Sequence, residues 1–328
     1  MASVALDRAA MLLDTYIRAD VPVHLWGAPG IGKSDVVKQV ANDHGAELVD
    51  IRLSMFDPVD LRGLPTTAGG ETKWLRPAIW PTQQDRPVFL FFDELDRAAP
   101  AVQNAALQII LDRKIGEHVL PDTVRIVAAG NGATDRVGTN RTSSAGNNRF
   151  AHIDVEHDLD AWKAWALKTG LHPMIIAFLS FRPALLHDMS DRSAKSFPTP
   201  RAWAQVANFA DSPDQIRLDL VTGLVGEGPA AEFEGFVKTF KSLPSLDGVI
   251  ADPQGAPVPS DPGALFALAV GLSIKADHQT YGNVLTYARR MPNDFAALIA
   301  IDATRRDNGL YHTQAHTDFV RDNREVFQ

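Results

Sequence analysis

The chain has 328 residues, 45% of them apolar and 22% charged, and it contains no cysteine. This is the composition of a globular protein, and it excludes disulfide scaffolds, thiolate metal centres and a largely disordered chain. Forty Asp and Glu against 32 Lys and Arg leave a formal charge of −8, which disfavours a broad nucleic-acid-binding face, because phosphate contacts need clustered positive charge.

Asp7 and Arg8 stand early in the N-terminal stretch, which has no small-residue cleavage site, and no apolar run reaches 18 residues. Neither a signal peptide nor a membrane span is expected, and a cytoplasmic location follows as the default. Apolar spacing predicts a helix over 4–18, and VPVHLW (21–26) reads as a short strand. A Gly-rich turn comes next, then a helix over 33–44 and a strand at ELVDIRL (47–53). PVFLFFD (87–93) is continuously apolar up to its last residue, as suits a central parallel strand covered on both faces. A helix is predicted over 99–113, followed by strands at TVRIVAAGN (123–131) and FAHIDVE (150–156). Alternating strands and helices predict an α/β, doubly wound nucleotide-binding domain over 1–156. From Asp158 onward the apolar spacing is helical throughout, which predicts a helical second domain over 157–328. The Pro- and Gly-rich stretch 242–263 reads as a mobile loop or linker.

The turn GAPGIGKSD matches G-x-x-x-x-G-K-[ST] between a predicted strand and a predicted helix, the context in which such a loop holds phosphates. Gly27, Ala28, Pro29, Gly30, Ile31, Gly32, Lys33, Ser34 and Asp35 form the candidate nucleotide-binding stretch. Gly30 and Gly32 let backbone N–H groups turn inward, Lys33 reaches the β and γ phosphates, and Ser34 ligates Mg²⁺. A second Mg²⁺-directed group is expected at the end of a neighbouring apolar strand. FLFFDELD supplies Asp93 for the metal and Glu94 to polarise the attacking water.

These motifs, together with FDELDRAAPAVQNAALQIILDRKIG, VAAGN, NRF and TPRAW in that order over residues 20–210, resemble an AAA+ ATPase, most nearly the MoxR branch. The resemblance implies a P-loop AAA+ core with a parallel sheet, an all-helical lid and a helical C-terminal extension. It also implies Asn131 as the polar sensor of the γ phosphate, Arg149 as an arginine finger acting on a neighbour's ATP, and Arg201 as a lid arginine. The family often has Asn where this chain has Asp96, Pro where it has Gly132, and Asp where it has Asn148. Arg141, in the long polar loop 131–148, competes with Arg149 as the finger. The segment 57–80 resembles the family's hairpin insertion, with Gly69 and Gly70 at its tip, facing either a ring pore or solvent.

Mg²⁺-dependent ATP hydrolysis in a homo-oligomer, commonly a ring of six, is the function implied. It would drive remodelling of a protein client, often one with a von Willebrand A-type domain. Two alternatives stay open: a nucleic-acid motor or helicase loader, and a nucleotide-gated binding module with little turnover. A GTPase is disfavoured because no N-K-x-D guanine-reading motif occurs.

Overall fold

The computed structural model describes residues 3–83, 85–115, 117–131, 148–191 and 193–323. It divides into two compact units, Met1–His157 and Asp158–Gln328.

The first unit is built on a five-stranded parallel sheet in the order β2-β5-β8-β1-β9. Its strands are β1 (Val23–Trp26), β2 (Glu47–Arg52), β5 (Val88–Asp93), β8 (Val124–Gly130) and β9 (Ala151–Asp154). Side chains alternate across the sheet, so each strand feeds two cores. Val23, Leu25, Phe89, Phe91, Val127 and Ala129 pack with Leu13 and Ile17 of α1 (Leu6–Arg18) and Val37 and Val40 of α2 (Lys33–Asp43). Leu90, Phe92, Ile126 and Ala128 turn the other way, onto Val102, Ala106 and Ile109 of α4 (Pro100–Asp112). Val88 to Phe92 are all fully buried, which is why that run has no polar alternation.

All five strands run in one direction, so the turn after β1 and the ends of β5 and β8 lie at the same edge of the sheet. Two hairpins are added. The short helix α3 (Pro58–Arg62) leads into β3 (Leu64–Ala68) and β4 (Glu71–Leu75), which pair antiparallel around Gly69 and Gly70. Both glycines have positive φ, 65° and 84°, as a two-residue hairpin turn requires. The second hairpin, β6 (Lys114–Ile115) with β7 (His118–Val119), had no signal in the sequence. It adjoins the first, where His118 Nε2 meets the Trp74 carbonyl at 3.1 Å.

The second unit is helical, with no strand among its described residues. One core gathers Ile175 and Phe178 of α6 (Pro173–Phe181), Trp203 of α7 (Pro200–Val206) and Phe233 and Val237 of α9 (Glu227–Lys241). Another gathers Leu268 and Leu272 of α11 (Pro262–Lys275), Tyr287 of α12 (Tyr281–Ala288) and Ile299 of α13 (Asn293–Arg306). Trp162 of α5 (Leu159–Lys168) and Val221 of α8 (Asp214–Val225) join the first core, and Val249 of α10 (Leu246–Ala251) and Phe319 of α14 (Gln314–Asp322) join the second. The expectation of a mobile linker over 242–263 is corrected: it contains α10, Val249 and Ala256 are buried, and Tyr287 Oη donates to the Pro257 carbonyl at 2.7 Å. No helix among the described residues is long and apolar enough to cross a membrane.

Candidate nucleotide-binding site

The loop Gly27–Gly32 leaves β1 and enters α2 through Gly32, whose φ of 106° and ψ of 16° are left-handed. Gly30 is also left-handed, with φ 78°. At Gly27 the requirement is space: a Cβ there would stand 2.5 Å from the Val155 carbonyl oxygen and 2.7 Å from Ile31 Cδ1. The loop can therefore lie close against the strand end only as glycine. Lys33 opens α2, is 8% exposed, and donates from Nζ to the carbonyls of Gly27 at 2.7 Å and Ala28 at 3.0 Å. Its ammonium is thus held beside the loop whose N–H groups and helix start favour anions. Asp35 lies in the first turn of α2, one residue beyond Ser34.

Ser34 Oγ donates to Asp93 Oδ2 at 3.4 Å, which brings the helix start and the end of β5 together. A hydroxyl and a carboxylate oxygen converging beside a phosphate loop are the hard oxygen donors that suit Mg²⁺. Asp50 of β2 is near enough to Asp93 to register it: burial, then the Asp93 charge, push the Asp50 carboxyl above its usual value, against the pull of Arg52. A cation at this place would relieve both carboxylates.

Glu94 takes a left-handed backbone, φ 55° and ψ 36°, that separates its direction from that of Asp93. Its carboxylate is engaged at both oxygens. Ser54 Oγ donates to Oε2, and Arg52 Nε stands 3.8 Å from Oε1. Ser54 and Arg52 were not singled out in the sequence, because their place follows from the strand order: β2 pairs with β5, Arg52 opposite Asp93, and Ser54 follows two residues later.

Asn131 follows β8 directly, and its backbone N–H donates to Asp96 Oδ2 at 3.0 Å. Burial raises the Asp96 carboxyl above its usual range, with the Asn131 N–H pulling the other way. Arg149 lies elsewhere. It precedes β9, whose first residue Ala151 pairs with Val23 at the start of β1, whereas the phosphate loop follows Trp26 at the end of β1. Arg149 is therefore at the opposite end of the sheet from Lys33, Ser34, Asp93 and Asn131, and it donates from Nη1 to the Leu107 carbonyl at 2.8 Å. Arg201 lies on α7 of the second unit. Arg141 and Gly132 fall outside the described residues.

Residues 23–144 match the family model described as the ATPase family associated with various cellular activities (AAA). The chain carries an AAA ATPase domain. Midasin of Giardia intestinalis is 31% identical over 149 residues, 43% of this chain and 3% of Midasin's length. Among solved structures, NtrX from Brucella abortus in complex with ATP is 13% identical, with a TM-score of 0.44, over 100% of this chain and 69% of that one. The Thermotoga maritima RuvB Holliday junction branch migration motor is 17% identical, with a TM-score of 0.36, over 86% of each chain. The domain's fold is α/β, with the loop Gly27–Gly32 at the end of a strand of a parallel sheet.

Proposed function

We propose that the AAA domain hydrolyses Mg²⁺-ATP within a homo-oligomer and that each site is completed by Arg149 of a neighbouring subunit. The observation that supports this is the split across the sheet: the phosphate loop, Asp93, Glu94 and Asn131 share one edge, and Arg149 stands at the other. Gly27 to Asp35 wrap the triphosphate, with Lys33 against the β and γ phosphates. Ser34 and Asp93 would hold Mg²⁺, which would supply positive charge to offset that on the phosphate oxygens. Glu94 orients and deprotonates the attacking water once its carboxylate leaves Ser54 and Arg52. Asn131 hydrogen-bonds the water or the γ phosphate, Arg149 offsets charge on the transferring group from the neighbour, and Arg201 does so from the lid.

The wider role follows from the resemblance to the MoxR branch: a ring, commonly of six, that remodels a protein client, with von Willebrand A-type domains as candidate partners. A domain organisation of an α/β ATPase body over 1–156 and a helical lid with a C-terminal extension over 157–328 belongs to the same reading, as does a cytoplasmic location.

The test is Glu94→Gln, which keeps shape and removes the base. ATP is expected to bind as in the wild type while turnover falls by about 10²- to 10⁴-fold, the usual contribution of a general base. Asp93→Asn is expected to lower both Mg²⁺ dependence and turnover. Turnover near wild type in Glu94→Gln would defeat the assignment. Salt-sensitive stimulation of wild-type turnover by DNA would transfer the reading to a nucleic-acid motor.

A further inference from the structure

Two buried side chains beside the site carry polar atoms without hydrogen-bond partners. Asp96 is 3% exposed; its Oδ2 accepts the Asn131 N–H, and its Oδ1 accepts nothing. His24 has no exposed surface, and neither ring nitrogen makes a hydrogen bond. A bare buried polar group costs about 1–3 kcal/mol, so native interiors normally supply a partner or an ordered water.

Both groups aim at one place. A Cβ on Gly130 would lie 2.9 Å from Asp96 Oδ1, 3.0 Å from His24 Nε2 and 2.9 Å from Trp26 Cζ3. The two polar atoms are thus separated by no more than the sum of the first two distances, yet they make neither a hydrogen bond nor an ion pair with each other. Within that limit a single water can hydrogen-bond to both. Aromatic rings pack against His24. Trp26 stacks on it at 3.8 Å between centroids, and Phe150 lies at 5.2 Å. Trp26 Nε1 meanwhile donates to His152 Nδ1 at 2.8 Å, so that nitrogen is already occupied. Burial, then the charges of His152 and Lys33, hold the His24 pKa well below 6.5. The neutral ring has one N–H and one lone pair, and a water can answer either.

We propose that one buried water bridges His24 Nε2 and Asp96 Oδ1 over Gly130, and that His24 is a positioning residue for ATP hydrolysis, acting through Asp96 on Asn131. The bridge ties three strand ends together. His24 belongs to β1, which feeds the phosphate loop; Asp96 follows Asp93 and Glu94 at the end of β5; and Asn131 follows β8. A carboxylate at position 96 only accepts hydrogen bonds, so it takes a donor on each side: the Asn131 N–H on Oδ2 and the water on Oδ1. Loss of the water leaves Asp96 free to turn and the start of the segment after β8 without a fixed anchor. The inference rests on Asn131 acting at the reaction site.

The test uses the full chain: kcat, KM for ATP and the Kd of a non-hydrolysable ATP analogue for wild type, His24→Leu, His24→Gln, Gly130→Ala and Asn131→Ala, with a high-resolution crystal structure of the wild type. A water within hydrogen-bonding distance of both atoms is expected. His24→Leu and Gly130→Ala are each expected to lower kcat about ten-fold, the effect of losing one modest hydrogen bond, with KM and Kd nearly unchanged. A double variant, His24→Leu with Gly130→Ala, should be no slower than either single variant, since both remove the same water. His24→Gln, whose amide can reach that water, should regain most of the turnover. A dry space in the crystal overturns the proposal, and so does normal kcat in Gly130→Ala, even if the leucine variant fails to fold. His24→Gln as slow as His24→Leu overturns it too. Asn131→Ala separates the two levels. Normal turnover there defeats the site reading itself, whereas slow turnover there with normal His24→Leu and Gly130→Ala defeats this inference alone.

Discussion

Glu94 is a non-glycine residue held at φ 55°, a conformation that costs an L-residue about 1–2 kcal/mol and persists where the surroundings fix it. Here they do: β2 delivers Ser54 and Arg52 to its carboxylate. On the proposed reading, a carboxylate held by Ser54 and Arg52 must give up those contacts before it can take a proton from water. Ser54→Ala is therefore expected to raise basal turnover about ten-fold, equivalent to ~1.4 kcal/mol, close to the lower end for a hydrogen bond to a charged group. Adding Glu94→Gln should abolish that gain. Steady-state ATPase assays of the single and double variants check it, and a fall in turnover in Ser54→Ala would mean that Ser54 aims the base rather than restrains it.

Among elements, His316 of α14 gives a pH dependence that can be read from its contacts. Its Nδ1 meets the Tyr281 hydroxyl at 2.9 Å, and burial pushes the tyrosine pKa above its usual value, so the tyrosine is the donor and the imidazole the acceptor. Burial also lowers the His316 pKa below 6.5. The unfolded chain then binds the proton more readily than the folded one, so this contribution to stability is complete above pH 6.5 and is lost as pH falls from there through the lowered folded value. Thermal midpoints at pH 7.5 and 5.5 are expected to differ less in His316→Gln than in the wild type, and an equal difference would remove His316 as the cause.

The same scale shows what local patterns carry. The run Val88–Phe92 is buried on both faces and so has a signature in any window, and the phosphate loop has fixed spacing between a strand and a helix. The sheet strands and the helices flanking them were legible for that reason. The hairpin Lys114–Val119 was not, because two-residue strands leave no alternation to see. The stretch 242–263 misled because its prolines and glycines read as a linker. It is held by residues distant in sequence: Arg290 Nη1 donates to the carbonyls of Pro253 at 2.8 Å and Ala256 at 2.7 Å. In the site, Lys33, Ser34, Asp93, Glu94 and Asn131 stand in motifs, whereas Ser54, Arg52 and His24 become neighbours only when the strand order is known.

For the whole molecule, the arrangement that matters is a parallel sheet with the nucleotide residues at one edge and Arg149 at the other. β9 pairs with β1 over four residues, Ala151 to Asp154, and Arg149 stands two residues before them; at ~3.3 Å per residue no arginine side chain reaches back across that length to its own phosphate loop. An arginine finger contributes on the order of 10³- to 10⁵-fold in phosphoryl transfer, so Arg149→Ala should bind ATP and hydrolyse it far more slowly. The direct measurement is ATPase activity after mixing Lys33→Ala subunits, which keep Arg149, with Arg149→Ala subunits, which keep Lys33, once subunit exchange has been verified. Completion of sites across subunits predicts turnover in the mixture well above that of either parent. A mixture as inactive as its parents, with recovery instead in mixtures of Lys33→Ala and Arg141→Ala subunits, would contradict the role given to Arg149.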